Sequence, residues 1–581
     1  MTEMRNAMLA AVLAVTLAAV PAGEAQNEAA FLAIPSSAGA SATSRVLDSV
    51  YHYAGTPGDH RLAISMRDQL QRDGLRAWIE TFHATVYTPR ILQLQLLSSP
   101  VVTFDLRDMP VPGDRDGHRP GIGLPFNAGS GSGDVRAPLV DAGRGLDADY
   151  ARLARAGTPV RGRIVLVRYG AEYRGNLAAR AQARGAAGVI FFSDPGRNPY
   201  ARYTVQRGDV MGNDHRPLRI PTLPVTAATA QRLIANAQSA HPSLVRLHVE
   251  MNARTATLWN TIGEVTGRNP AQMVVLGGHR DAWVYGVTDD GSGISTLLEV
   301  ARGLGELHRR GWTPLRSIRI AGWDGEEIGE LGSEAYVAAH RAELQRGCVA
   351  YINTDESASG PIFGAAAAGA IEPAAARAID DVLHIARPQI GVPAGGSDFE
   401  SFIYGIGTPI LDIGYTGNFG TYHSPYDDYH YASTYADPGF VHHRTIAQTI
   451  GVLAMRLADE SAVPYRFTSY ASALNAGMSS LTTAAAAAHL SISPALGYAI
   501  ARFEGAADAY DSRPHPNGTV SALHAAQRLD MLAYSASGYA SVAFPEISNA
   551  IATGKQPLVD ARVRATVIEL GAIANSLKGA E

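Results

Sequence analysis

Between about Thr261 and Leu457 the sequence alternates short apolar runs with longer stretches of helical period: MVVLGG, ISTLLEVARGLGELHRR, SIRIAGW, SEAYVAAHRAEL, CVAYINT and PILDIG. No other feature restricts the fold as much. Strand and helix in strict alternation fit a mostly parallel sheet with helices on both faces. In open sheets of this kind the ligand crevice lies beyond the carboxyl ends of the strands. Here those ends are chemically marked. MVVLGG runs into His279 and Asp281, SIRIAGW into Glu326 and Glu327, and CVAYINT into Asp355, while Asp289 opens DDGSG before the next helix and His423 sits in TYHSPYDDY.

Two adjacent acids opening a helix are ordinary partners of its N-terminal dipole, so Glu326 and Glu327 alone mean little. The wider set changes their meaning. The chain has one cysteine, Cys348, which excludes an internal disulfide and any multi-cysteine metal cage. A His and carboxylate set without thiolate suits Zn²⁺. A two-metal hydrolytic site needs one carboxylate between ions about 3.5 Å apart, terminal ligands on each, and a base near the bridging water. His279 and Asp355 then serve one zinc, Glu327 and His423 the other, and Asp289 lies between them. Neighbouring side chains on a regular element cannot aim at one ion, so Glu327 binds metal and Glu326 is left as the base.

The remaining sequence divides around that segment. A helical stretch, HRLAISMRDQLQRDGL, and an alternating run, ILQLQL, precede a Pro/Gly/Asp-rich boundary. From about Ala137 to Glu250, GRIVLVRYG and GVIFFSDP flank NLAARAQARGAAG and read as a small β-rich module with its own core. From about Ser461 the chain is Ala-rich and strand-poor, which fits a helical domain. The formal net charge of −5 supplies no basic stripe for a phosphate backbone, so no nucleic-acid partner is expected. At the N-terminus, Arg5 precedes an apolar run from Ala7 to Val20 with small residues at Ala22, Gly23 and Ala25. That pattern reads as a secretory signal over 1–25, with a retained anchor as the competing reading, and predicts export to the periplasm or the medium with no stable membrane insertion afterwards.

The stretches GGHRDAWVYGVTDDGSG, GWDGEEIGELGS, YINTDES, GGSDFESF and YHSPYDDY, in that order, resemble the zinc metallopeptidases of the glutamate carboxypeptidase II type, relatives of the transferrin receptor. RGRIVLVRYGAEYRGN resembles that family's protease-associated insert and SGYASVAFPEI its helical dimerisation domain. The resemblance implies an α/β zinc-peptidase core over 26–110 and 256–457, a protease-associated domain over 111–255, and a helical domain over 458–581 through which the chain forms a homodimer. It implies two zinc ions on His279, Asp289, Glu327, Asp355 and His423, with Glu326 as general base. It further implies that Asp281 orients the His279 ring and that the Tyr422 hydroxyl helps stabilise the oxyanion. Arg174, Asp209, Gly396, Ser397 and Tyr539 would contact a peptide substrate, Arg174 and Tyr539 through its α-carboxylate.

The chain departs from its glutamate-specific relatives in the pocket. Asp209 follows QRG where they carry Asn, Gly538 stands where they carry Lys, Ser397 replaces the Asn of GNDFE, and Ala365, Asp412 and Gly414 stand where an arginine patch is expected. Loss of a cation and gain of a carboxylate repel an acidic side chain, so a carboxypeptidase not specific for glutamate is expected. Ala335 and Ala338 replace the family's calcium-binding glutamates, and calcium is not expected. A dizinc aminopeptidase on the same core and a non-catalytic transferrin receptor-like binding protein are the other readings. The intact ligand set speaks against the last.

Overall fold

The computed structural model describes residues 22–579 apart from 115–118, 120, 196–198, 213–214, 418–419, 514, 516–518 and 538–539. Most of the expected signal, and both Gly538 and Tyr539, therefore lie outside the described residues. Among the described residues no helix is long and apolar enough to cross a membrane.

The main sheet runs in the order Ile362–Ala367, Ile410–Thr416, Cys348–Asn353, Asn269–His279, Arg316–Trp323, Val245–Val265, Arg76–Leu96, Val102–Thr103, with Gly133–Ala137 also paired to Val245–Val265. The four strands from Ile410–Thr416 to Arg316–Trp323 are parallel and the flanking pairs antiparallel. The central strands Arg316–Trp323 and Cys348–Asn353 are buried at every position, as expected where helices cover both faces. The chain leaves Asn269–His279 through the helix Gly291–Arg309 to Arg316–Trp323 on one side. It then returns through Leu331–Gly347 to Cys348–Asn353 on the other side. That reversal opens a crevice at the carboxyl end of Asn269–His279.

The long antiparallel ribbon of Arg76–Leu96 with Val245–Val265 joins this sheet to a second one. Its register shifts between Pro89 and Ile91, because a proline cannot donate to the ladder and is tolerated at such a break. The second sheet, Leu139–Asp141, Ile164–Arg168, Gly188–Phe192 and Thr222–Val225, is entirely parallel. Parallel neighbours need crossovers, and the helices Asp147–Arg155 and Arg174–Ala183 supply two of them. This module has its own apolar clusters around Leu166 and Val165.

Between Thr468 and Lys578 the described elements are helices and one hairpin, Tyr534–Ser537 with Ala540–Ala543. These helices have no separate core. Leu496, Leu529 and Leu570 belong to the same buried cluster as Val274 and Ile320 of the main sheet.

Candidate active site

The crevice collects five of the sequence-marked side chains into two triads that share one residue. His279, Asp289 and Asp355 form the first and Asp289, Glu327 and His423 the second, each with its ligand atoms within 4.8 Å of one another. His279 Nε2 lies 3.2 Å from Asp289 Oδ1 and 3.6 Å from Asp355 Oδ1. His423 Nε2 lies 3.0 Å from Asp289 Oδ2 and 3.0 Å from Glu327 Oε2. Asp289 thus presents one oxygen to each side.

Local structure explains these placements. The turn Glu326–Ile328 is a single 3₁₀ turn between Gly325 at φ 82° and Gly329 at φ 109°, left-handed positions that glycine adopts without a Cβ clash. The turn points the two acids differently. Glu327 meets His423 and the main-chain amide of Trp283 at 3.2 Å, whereas Glu326 Oε2 stays 3.7 Å from His279 Nε2. Asp289 is held by its own amide, which donates to Asp427 at 3.1 Å, and the Thr288 amide donates to the same carboxylate at 2.9 Å. The Asp289–Asp290 peptide is cis, and Asp290 caps the following helix by accepting from the Gly293 amide at 2.8 Å.

The two histidines are oriented from behind. His279 Nδ1 donates to the main-chain carbonyl of Asp281 at 2.8 Å, while the Asp281 carboxylate is 3.8 Å away and accepts instead from the Glu326 amide at 3.1 Å. Asp281 therefore fixes the His279 tautomer through its backbone and the Glu326 turn through its side chain. His423 has a left-handed backbone, φ 56°, which a non-glycine residue keeps only when its surroundings enforce it. They do. Its Nδ1 donates to the Arg207 carbonyl at 3.1 Å, and the Arg207 guanidinium donates to the His423 carbonyl at 3.3 Å and to Asp108 at 3.0 Å. Arg207 and Asp108 are both buried. None of Arg207, Asp108 and Asp427 has a local sequence pattern that gives its role, because Arg207 acts on His423 across 216 positions, Asp427 on Asp289 across 138 and Asp108 on Arg207 across 99.

The electrostatics suit a cation. Asp355 Oδ1 is buried and makes no hydrogen bond among the described residues. Burial pushes the Glu326 carboxyl well above its usual range; the His279 charge opposes this and Asp355 and Asp398 add to it. Burial also raises Asp281, to about 7, against the pull of His279. For Asp289 burial is outweighed by the hydrogen bonds from His279 and His423, which hold it below the ordinary carboxylate range. Carboxylates crowded this closely repel one another, and a divalent cation at each triad relieves the repulsion. The donor set fits such a group.

A cavity of about 120 Å³ opens beside the triads, lined among others by Arg174, Asp209, Glu330, Gly396, Glu400 and Tyr422. Arg174 begins the helix Arg174–Ala183 and is 4% exposed, its guanidinium 4.8 Å from the centre of the Tyr169 ring. It fits only because residue 208 is glycine: a Cβ there would come within 1.3 Å of Arg174 Nη1. Asp209 accepts from the Tyr173 hydroxyl and from the Met211 amide. The Tyr422 ring stacks on His423 at 3.6 Å. Ser397 is not brought to the cavity wall; it is buried and accepts from Asn353 Nδ2 at 3.0 Å.

Residues 260–441 match the model of Peptidase family M28, and residues 135–233 that of the PA domain. The chain is 28% identical to the probable glutamate carboxypeptidase VP8 of Zea mays over 504 residues, covering 77% of this chain and 70% of that protein. It is also 28% identical to aminopeptidase NAALADL1 of Rattus norvegicus, over 67% of this chain and 66% of that one. Among solved structures, the aminopeptidase from Aneurinibacillus sp. strain AM-1 shares the fold with a TM-score of 0.54 at 20% identity, covering 74% of this chain and 96% of that one. A zinc aminopeptidase from Bacillus subtilis aligns with a TM-score of 0.55 at 18% identity, over 74% of this chain and 96% of that one. Fold, site geometry and both domain matches agree: the chain carries a Peptidase family M28 segment over residues 260–441, with a PA-domain segment over residues 135–233 ahead of it.

Proposed function

We propose that this chain is a dizinc carboxypeptidase that removes the last residue of a peptide and is not specific for glutamate. The observation that carries the reading is the sharing of Asp289 by two complete ligand triads, with a buried guanidinium, Arg174, on the wall of the cavity that opens onto them. When bound, the two ions would polarise the scissile carbonyl and lower the pKa of a water between them. Glu326 belongs to neither triad and would take that water's proton and pass it to the leaving amine. The Tyr422 hydroxyl, on the cavity wall beside His423, donates to the developing oxyanion. Arg174 offers the free α-carboxylate a charge-assisted hydrogen bond, a role in which Tyr539 would join it. A zinc aminopeptidase among the structural neighbours and the carboxypeptidase name of the maize relative are in line with this chemistry.

One observation favours a second reading. Asp209 and Glu330 line the same cavity, and a carboxylate at that place can hold a free α-amine, as an aminopeptidase requires. Two blocked forms of one peptide separate the readings. The carboxypeptidase reading expects N-acetylation to leave cleavage intact and C-terminal amidation to slow it at least about tenfold; the reverse pattern establishes an aminopeptidase. Export, from the Arg5 and Ala7–Val20 pattern, and a homodimer through 458–581, from the family resemblance, complete the proposal.

A further inference from the structure

The cavity holds more acidic side chains than the reaction uses. Among the described residues, besides Glu326 and the ligands Glu327 and His423, it is lined by three acids, Asp209, Glu330 and Glu400, against one guanidinium, Arg174. His215 also lines it, 3.7 Å from Glu334, and adds charge only when protonated. The three acids are held unequally. Asp209 accepts from Tyr173 and Met211, and Glu400 accepts from the Gly396 amide. Glu330 sits half-buried at φ 50°, just ahead of the helix Leu331–Gly347. Among the described residues its carboxylate has no hydrogen bond or ion pair. None of the three belongs to a group whose ligand atoms converge tightly enough for a metal ion. The space, at about 120 Å³, is many times the room that one water needs, on the order of 10–15 Å³.

We propose that this cavity selects a terminal residue with a cationic side chain, lysine or arginine. The inference rests on the carboxypeptidase reading above. Arg174 takes the α-carboxylate, and Glu330 and Glu400 take the ammonium or guanidinium. Asp209, fixed by Tyr173, adds to the same field. A partly desolvated carboxylate without a partner, as at Glu330, is costly, and a substrate cation that pairs with it relieves the cost; an acidic side chain meets repulsion instead. Arg174 and the three acids thus read the two ends of one residue, which has both a carboxylate and a cation.

The zinc-loaded enzyme is given N-acetylated peptides that differ only in a last residue of lysine, arginine, norleucine or glutamate, and release is followed by mass spectrometry. Norleucine keeps the chain length of lysine without its charge. The expected result is a kcat/KM for lysine and arginine at least about tenfold above norleucine, with glutamate slowest. In Glu330→Gln with Glu400→Gln the lysine-to-norleucine ratio falls toward one. Should that variant not fold, inhibition of the wild type by free lysine against free norleucine reads the same preference. Terminal residues released at equal rates overturn this inference and leave the carboxypeptidase reading standing. Absence of any C-terminal release overturns that reading and this inference with it.

Discussion

The two ends of the active-site cavity are built on opposite principles. At the triad end each histidine and the shared Asp289 is held from behind: His279 by the Asp281 carbonyl two residues on, and Asp289 by Asp427 and His423 by Arg207 from distant parts of the chain. At the pocket end, among the described residues, the Glu330 carboxylate has no such partner, and Glu400 accepts only from the Gly396 amide four residues before it. The difference separates two tasks. Groups that do chemistry must be fixed before the substrate arrives, whereas groups that recognise a side chain can leave their last partner to be supplied by the substrate.

The contrast predicts where substitutions act. Glu326→Gln removes only proton transfer, so kcat falls by about 10²–10⁴ while metal content and Tm stay near wild type; turnover within a few-fold of normal would place the base elsewhere. Arg207→Ala breaks a buried ion pair with Asp108 and frees the His423 loop, which is expected to cost about 3–5 kcal/mol in denaturant unfolding. Both variants keep the main-chain carbonyl that accepts from His423; Arg207→Lys separates charge from geometry, because an ammonium still pairs with Asp108 but lacks the fork that also reaches the His423 carbonyl. Asp427→Asn leaves the pocket untouched and weakens the support of Asp289, so zinc affinity by chelator competition falls about 10–100-fold. If zinc affinity is unchanged, Asp289 is fixed by its own loop alone.

The smallest effect belongs to the pocket end. Burial pushes the Glu400 carboxyl up to about 7, with the Gly396 amide opposing and Glu334 adding to the rise. An acid whose folded pKa is raised carries its charge only above that value, so preference for lysine over norleucine should grow between pH 6 and 8. Glu330, Asp209 and His215 face the same space, and Glu400→Gln shows how much of the slope is due to Glu400. A flat ratio across that range would show that the Glu400 charge does not set the preference.

The triad end was legible in the sequence because His279, Glu327 and Asp355 follow apolar strands, and the carboxyl ends of parallel strands meet at one place whatever the loops do. The parallel core was legible for the same reason. The strand seen as ILQLQL is part of a 21-residue element, Arg76–Leu96, whose remainder mixes polar and β-branched residues and has no clean alternation. The pocket end was only partly legible. Asp209 and Arg174 stood out beside a family pattern, but Glu330 reads as one more acid after Glu327, and Glu400 as an ordinary helix residue. Only the packing of Leu331–Gly347 and Phe399–Ile406 against one another brings them to one cavity. Arg207 was passed over because the bond it makes through its carbonyl does not depend on its side chain type.

Titration of chelator-stripped protein with zinc, read by elemental mass spectrometry and by peptidase activity on the same samples, tests the central claim most directly. Two triads sharing Asp289 predict about two zinc ions per chain, activity that returns with their binding, and a variant Asp289→Ala that loses affinity at both positions together. Full activity in protein carrying no bound zinc, or an Asp289→Ala variant that keeps two ions at wild-type affinity, would contradict it.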